Sequence, residues 1–236
     1  MVALVVLVTL ILLAIWVAYA IPGQTPARVP AGAAVPTFGR SADPDEAVVV
    51  AQVEGIDILL PVARDVTTAV AFHPVDNPDT VAFAPVGERM GGGGLRQRLA
   101  DIFAAGGGMQ YYLMDGDDGP SSSTAGLDVG AIPGSPVVSP VDGKVTAVKE
   151  YSILGRYADT QIDIRLASDP SLLLVITHIQ KPKVEIGEIV ERGTTLLGAV
   201  RGFPAGLDQA LSQYTSDNGD HVQFFLLRVT PELAGL

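Results

Sequence analysis

The C-terminal part of the chain is a succession of short apolar runs separated by turn residues. Dipeptides such as Asp142-Gly143 and Ile186-Gly187 divide the runs, each of which is about as long as an ordinary strand. Several strands at such spacing are typical of a β sandwich or a β barrel. Residues 207–214 predict one or two helical turns inside a long loop. We predict strands at residues 136–140, 144–151, 160–166, 172–178, 194–200 and 221–229.

The residues before this region predict a smaller α+β segment. Residues 95–105 lie between two glycine runs and repeat apolar side chains at helical spacing, which indicates a short amphipathic helix. Strands are predicted at residues 47–53, 56–60, 66–72 and 81–83. The pattern therefore divides this part of the chain into an α+β segment at residues 47–115 and a β domain at residues 116–236.

The N-terminal run from Val2 to Ile21 contains no charged residue, and Thr9 is its only clearly polar side chain. As a helix it would span about 30 Å, which is the thickness of a bilayer core. A helix buried in a soluble domain would show a polar face, which this run lacks. We therefore predict a transmembrane anchor or signal peptide at residues 1–21, followed by a Pro/Ala/Gly-rich linker at residues 22–46.

The choice between anchor and signal peptide depends on the end of this run. Ala18-Tyr19-Ala20 has the small-x-small form of a signal peptidase site. No Lys or Arg precedes the run, and the apolar stretch is long for a signal peptide, so we favour an uncleaved single-pass anchor. In both cases the rest of the chain is expected outside the cytoplasm, either at the cell membrane or secreted after cleavage behind Ala20.

The charge balance is strongly acidic, with a net charge of −11. Nucleic-acid binding requires a basic surface, so we predict no nucleic-acid partner. The chain contains no cysteine, and disulfides therefore contribute nothing to its stability. The domain must depend on its hydrophobic core alone.

Four motifs follow one another between residues 124 and 229. The lone histidine His178 stands between the second motif and the third. In chain order the motifs are Thr-Ala-Gly-Leu-Asp at residues 124–128, Gly-Ser-Pro-Val-Val-Ser-Pro-Val-Asp-Gly-Lys-Val at 134–145, Val-Glu-Ile-Gly-Glu-Ile-Val-Glu-Arg-Gly at 184–193, and His-Val-Gln at 221–223.

This succession resembles the lysostaphin or LytM type of zinc metallopeptidase, which cuts peptidoglycan cross-links. The family pattern reads H-x-G-x-D, then Gly-x-Pro-Val and Pro-x-x-Gly-x-Val, a lone His, a Val-x-x-Gly turn pair, and finally H-x-H. The resemblance covers under half of the chain and implies a LytM-like barrel-sandwich domain. The turn pair by itself is less specific, since lipoyl-type carriers and membrane-fusion adaptors share it.

The resemblance also implies which residues would form the site. In the family, the His and Asp of H-x-G-x-D and the second His of H-x-H bind zinc, which here places Thr124, Asp128 and Gln223 at ligand positions. The lone His and the first His of H-x-H flank the metal-bound water, which here corresponds to His178 and His221 as the catalytic candidates. A hydroxyl and an amide are poor zinc ligands, so two of three metal positions are degenerate and no tight zinc is expected.

Simpler interpretations of these residues remain open at this stage. His178 could be a hydrogen-bonded structural residue, Asp128 could cap a turn, and His221 could be a solvated residue of an edge strand. His73 lies outside the resemblance; an exposed turn is the favoured interpretation, although it could reach the groove and replace a missing ligand. The acidic cluster at residues 115–119 is interpreted as a solvated loop, since it lacks the spacing of a calcium loop.

The sequence leaves the question of catalysis open. The first hypothesis is a non-catalytic binding or regulatory module of the cell envelope, which needs no cofactor and has a peptidoglycan peptide or a cell-wall hydrolase as its partner. The second is an active, divergent zinc endopeptidase that uses Asp128, His178, His221 and a borrowed ligand such as His73. The third is a membrane-fusion-type adaptor, which would require long flanking helices that the sequence does not predict.

Overall fold

Antiparallel strands make up most of the fold. The structure, a computed structural model, describes residues 47–90, 109–114, 124–207 and 209–229. Two short 3-10 helices, Arg64–Val66 and Ala210–Gln213, occur among these residues. The strands are β1 (Val49–Val53), β2 (Ile56–Leu59), β3 (Thr67–His73), β4 (Thr80–Val81), β5 (Ala84–Pro85), β6 (Glu88–Arg89), β7 (Gln110–Leu113), β8 (Gly126–Ala131), β9 (Pro136–Val138), β10 (Gly143–Ile153), β11 (Tyr157–Leu166), β12 (Leu172–Gln180), β13 (Ile189–Val190), β14 (Leu196–Val200) and β15 (His221–Arg228).

One large sheet contains the strands that matter for the candidate site. Its strand order is β13-β10-β11-β12-β15-β8-β3-β7-β6, with β4, β9 and β14 joined off this path. The central strands from β10 to β3 pair antiparallel with their neighbours. A second sheet of three strands has the order β2-β1-β5. The prediction of a mainly β chain is confirmed.

Strand β8 lies at the centre of the functional part of this sheet, and each of its six residues is buried. Successive side chains of a strand point to opposite faces of the sheet. Leu127 lies opposite Phe72 of β3 and Phe224 of β15, and all three belong to the main hydrophobic core. The alternate residues Gly126, Asp128 and Gly130 therefore face the other side, which is where the candidate site lies.

Several sequence predictions can be compared with these elements. The predicted strands have counterparts in β1 to β4, β9 to β12, β14 and β15, and the predicted helical turns at residues 207–214 correspond to the helix Ala210–Gln213. Strands β3 and β7 of the segment at residues 47–115 belong to the same sheet as β8. The pairing between β3 and β8 is important because it brings a histidine from that segment into the site.

Other predictions concern parts of the chain outside the described residues. These are the N-terminal apolar run, the linker, the amphipathic helix at residues 95–105 and the acidic cluster at residues 115–119. Within the described residues, no helix combines the length and the apolar character that crossing a membrane requires.

The burial pattern predicts opposite outcomes for the same substitution at two isoleucines. Ile176 of β12 is fully buried in the main core, whereas Ile189 of β13 is 67% exposed. We expect Ile176→Ala to lower the free energy of unfolding by about 2–5 kcal/mol, because it removes buried methylene groups and leaves a cavity. Urea denaturation of the full chain, followed by circular dichroism, measures this loss.

Ile189→Ala serves as the matched control, since it removes the same atoms from an exposed site. We expect its effect to stay within about 0.5 kcal/mol. Similar losses for both variants would contradict the assignment of the core.

Candidate binding cleft

Asp128 occupies the middle of a row of side chains that crosses four strands on one face of the large sheet. It lies directly opposite Ala71 of β3 on one side and Gln223 of β15 on the other, and Gln223 lies opposite Thr177 of β12. Residues directly opposite each other in antiparallel strands have Cβ atoms about 4.5–5.5 Å apart. This register places Asp128 and Gln223 side by side, although they are far apart in the sequence. We call this face of the sheet the cleft.

His73, the last residue of β3, lies in the cleft beside Asp128. Its Nε2 atom is 3.2 Å from Asp128 Oδ1, and its Nδ1–H donates to the carbonyl oxygen of Pro74 at 2.8 Å. Because β3 is antiparallel to β8, His73 stands opposite Gly126, and a Cβ atom at Gly126 would lie only 2.2 Å from the imidazole. The interpretation of His73 as an exposed turn residue is therefore wrong, since pairing of β3 with β8 buries most of its ring.

His221 lies at the beginning of β15 and is only 3% exposed. Its Nδ1–H donates to the carbonyl oxygen of Gly219 at 2.6 Å, and its Nε2 is 3.8 Å from Asp128 Oδ1. The ring stacks on Phe203, with 5.2 Å between the centroids. His221 is not a solvated residue of an edge strand, because β15 runs between β12 and β8.

His178 reaches the cleft from a distortion in β12. The residue has a φ of +64°, and the pairing of β11 with β12 shifts register between Thr160 and Ile162. Its Nδ1–H donates to Asp159 Oδ2 at 2.6 Å, and its ring meets that of His221 edge to face at a centroid distance of 4.9 Å. A positive φ is unusual for a histidine and indicates that the surrounding contacts hold it in place.

The carboxylate of Asp159 orients His178 and also accepts two further hydrogen bonds. The Tyr151 hydroxyl donates to Oδ2 at 2.9 Å, and the Thr160 backbone N–H donates to Oδ1 at 2.8 Å. Burial raises the pKa of Tyr151 and the charge of Asp159 raises it further, so the hydroxyl stays protonated and donates. These donors fix the carboxylate, which in turn fixes the orientation of the imidazole.

No motif in the sequence pointed to Asp159, Tyr151 or Phe203 as part of the cleft. Asp159 and Tyr151 are opposite each other in the long pairing of β10 with β11, and that register alone brings them together. Phe203 is held by a hydrogen bond from its backbone N–H to Asp220 Oδ1 at 2.6 Å. The only sequence signal available was Asp220 immediately before His221, which is too common a pair to predict this contact.

Thr124 and Gln223, the two residues that the sequence predicts at degenerate ligand positions, make contacts that do not suit a metal. The hydroxyl of Thr124 donates to the carbonyl oxygen of Phe83. The side-chain amide of Gln223 has its nitrogen 3.2 Å from His73 Nε2 and its oxygen 3.4 Å from the Thr177 hydroxyl. The polar atoms of both side chains are therefore already engaged in contacts within the protein.

The residues present do not fit a zinc ion of the family type. A catalytic zinc requires three good protein ligands that leave one position open for water. Asp128 is a suitable ligand, but its Oδ1 atom is already hydrogen-bonded to His73. Neither the hydroxyl of Thr124 nor the amide of Gln223 replaces an imidazole ligand. Among the described residues, no group of three or more His, Cys, Asp or Glu side chains is arranged to hold a metal ion.

The charges in the cleft are balanced within the protein. Burial alone would lower the pKa of His73, but the hydrogen bond to Asp128 and the carboxylate charge raise it above the ordinary value of 6.5. Burial alone would raise the pKa of Asp128, but the nearby imidazoles hold it below its ordinary value. Burial lowers the pKa of His221 below its ordinary value, so His73, whose pKa is raised, is the more readily protonated of the two imidazoles beside Asp128.

This charge balance predicts how His73→Gln changes stability with pH. A group whose pKa is higher in the folded chain stabilises the fold while it is protonated. The stability lost in the variant should be greatest below pH 6.5 and should shrink as the pH rises through the raised pKa of His73. At the acid end, the difference should fall again as Asp128 is protonated at its lowered pKa. Urea denaturation of both proteins between about pH 2.5 and pH 9 measures the difference.

The effect of His221 on stability has the opposite sign, because its lowered pKa destabilises the fold as the pH falls below 6.5. The charge of His73 contributes to that lowering, so His73→Gln is expected to relieve part of this destabilisation, and the difference between the two proteins at acid pH contains both effects. A difference that stays constant from pH 5 to pH 9 would contradict the pairing of His73 with Asp128.

Gly126→Ala should expel the His73 ring from the cleft. The new Cβ would lie within 2.2 Å of the imidazole, and the side chain is the part best able to move. We expect the pKa of His73 to return toward 6.5, which nuclear magnetic resonance titration of the histidine ring protons measures. Gly202→Ala is a suitable control, because its Cβ would meet the Pro133 side chain at 3.2 Å and Asp220 Oδ1 at 4.0 Å, and neither contact involves His73. An unchanged titration of His73 in Gly126→Ala would contradict the contact.

The chain matches known proteins in structure, but not in a family model or in a curated sequence. No family model matches the chain, and no curated protein matches it. Solved structures do match. Csd3 from Helicobacter pylori is 20% identical over 47% of this chain and 25% of its own, with a TM-score of 0.32. Lysostaphin is 18% identical over 46% of this chain and 38% of its own, with a TM-score of 0.35. A zinc-containing peptidase from Vibrio cholerae is 22% identical over 48% of this chain and 30% of its own, with a TM-score of 0.34.

These matches are limited in identity, in extent and in overall superposition. The chain spans less than two fifths of the length of each of the three proteins. At such identities and TM-scores, the likeness does not extend to activity, substrate or partner. In the order of its motifs and in the kind of solved structure that it matches, the chain is similar to the LytM or lysostaphin type of peptidase.

Proposed function

We propose that this protein is a non-catalytic, LytM-like module of the cell envelope that binds a peptide in the cleft. The observation that carries the proposal is the contact between His73 and Asp128. The carboxylate of Asp128, which would bind a metal in the family pattern, is instead hydrogen-bonded to the imidazole of His73. The domain is accordingly proposed to have the barrel-sandwich architecture of the family without its zinc.

The chemistry of the cleft supports binding rather than hydrolysis. Hydrolysis by the family requires a metal that lowers the pKa of a bound water and polarises the scissile carbonyl. The side chains of Thr124 and Gln223 offer no such metal ligation, because their polar atoms are directed at Phe83, His73 and Thr177. The same cleft still offers imidazole, amide and carboxylate groups, which are the donors and acceptors that orient a peptide.

The proposed partner is a peptidoglycan peptide or a cell-wall hydrolase that the module regulates. The proposed location is the outer side of the cytoplasmic membrane, because the uncharged run at residues 1–21 has the length and composition of an anchor. If that run is instead a signal peptide, the proposal holds for a secreted protein. A net charge of −11 disfavours nucleic acid as an alternative partner.

An active divergent zinc endopeptidase is the second candidate, and one observation favours it. His73 does enter the cleft, so that two imidazoles and one carboxylate come together at Asp128, with Nε2 atoms 3.2 and 3.8 Å from Oδ1. In this candidate, His73 and His221 would hold the metal with Asp128, and His178 would remain as the acid–base residue. Zinc content distinguishes it from the first proposal.

Zinc uptake by the wild type and a variant with restored ligands tests the proposal. The purified full chain is incubated with equimolar zinc, desalted and analysed by atomic absorption. We expect the wild type to retain little zinc and the triple variant Thr124→His/Gln223→His/His73→Ala to retain about one equivalent, because it recovers three ligands and removes the imidazole beside Asp128. Both proteins are also sedimented with insoluble peptidoglycan, and turnover is followed as the release of new amines.

The wild type should sediment with peptidoglycan and release no amines with or without added zinc. Stoichiometric zinc in the wild type, together with turnover that chelators abolish and His221→Ala removes, would overturn the proposal in favour of the enzyme. Asp65→Asn is a suitable control for sedimentation, since Asp65 is an exposed carboxylate of the helix Arg64–Val66 and is not one of the cleft residues described above.

A further inference from the structure

Two imidazole nitrogens of the cleft have no hydrogen-bond partner among the described residues. These atoms are Nε2 of His178 and Nε2 of His221, and in both rings Nδ1 is already engaged, by Asp159 and by Gly219 respectively. A donor bond from Nδ1–H leaves Nε2 of a neutral imidazole as an acceptor. The protein therefore presents two acceptors with fixed orientation.

His221 lies deeper in the cleft than His178, since the residue is only 3% exposed whereas His178 is partly exposed. Its Nε2 atom is directed at Asp128, but 3.8 Å is too long for a direct hydrogen bond. One donor atom on the cleft side, about 2.9 Å from both, would satisfy Nε2 and Oδ1 together.

The number of acceptors indicates the kind of donor. Nε2 of His178, Nε2 of His221 and the Asp128 carboxylate are all acceptors, and a primary ammonium group has three N–H donors and no acceptor. A peptide amide would bring fewer donors and a carbonyl oxygen that needs a donor of its own. The Asp128 carboxylate attracts a cation at short range, and the net charge of −11 attracts it at long range.

We infer that the cleft binds the primary ammonium group of a peptide, between Asp128, His178 and His221. The inference deepens the proposed peptide-binding function and rests on it. Asp159 is the positioning residue in this arrangement, because its bond to Nδ1 turns Nε2 of His178 toward the ligand. The charge of Asp128 is shared with His73, so the binding of a small amine is expected to be weak.

The test compares peptides that differ only in the amino group. Triglycine with a free N-terminus, N-acetylated triglycine, and a doubly blocked lysine with a free side-chain amine are titrated into the full chain by calorimetry. We expect the free amine to bind about tenfold more tightly than the acetylated peptide, as the loss of a charge-assisted hydrogen bond implies. The two free-amine probes distinguish a peptide N-terminus from a lysine-type side chain as the source of the ammonium group.

Nitrogen resonances of the histidine rings give a second measurement that does not depend on any variant. Triglycine should shift the Nε2 resonances of His178 and His221 while their Nδ1–H bonds persist. Asp159→Asn should weaken the binding of triglycine at least fivefold and change the tautomer of His178, whereas the control Asp65→Asn should leave both unchanged.

Two outcomes would overturn the inference and leave the proposed function intact: equal affinity for free and acetylated triglycine, or binding that leaves both Nε2 resonances unmoved. Tight binding of zinc at the same nitrogens, with no binding of either peptide, would overturn the inference and the proposed function together.

Discussion

The buried carboxylate of Asp128 is the constraint on which the cleft depends. An ionised carboxylate that is only 4% exposed must be compensated, either by a cation from outside or by a charged group of the protein. Here the compensation comes from His73, whose Nε2 lies 3.2 Å away. Because the compensation is internal, the fold does not need a metal to tolerate the charge at its centre. The cleft therefore contains a buried carboxylate whose hydrogen-bond partner belongs to the protein itself.

The geometry of the large sheet decides which residues share this environment. Alternation along β8 sends Leu127 into the core and Asp128 into the cleft, and the antiparallel register places Gln223 beside it. A shift of one residue in any of these pairings would exchange the two faces and bury the carboxylate in the apolar core. The phenylalanines opposite Leu127 make that shift unfavourable, so the core fixes the site.

The remaining imidazoles of the cleft are held by contacts that differ in kind. His178 is oriented by the side chain of Asp159, which also accepts a hydrogen bond from Tyr151, whereas His221 is oriented by the backbone of Gly219. In both rings the outward nitrogen is the one left over, which is the arrangement used in proteins to orient histidines toward a ligand or a metal. Both imidazoles are thus oriented through Nδ1, one by a side chain and the other by the backbone.

The sequence by itself predicted a mainly β chain and singled out Asp128, His178 and His221, because strand periodicity and motif order are local properties that can be read along the chain. It did not predict the position of His73, since its segment looked like a turn and its partner Asp128 lies 55 residues away. Nor did it predict Asp159. Both depend on which strands become neighbours and in which register, and that is decided by the packing of the whole sheet.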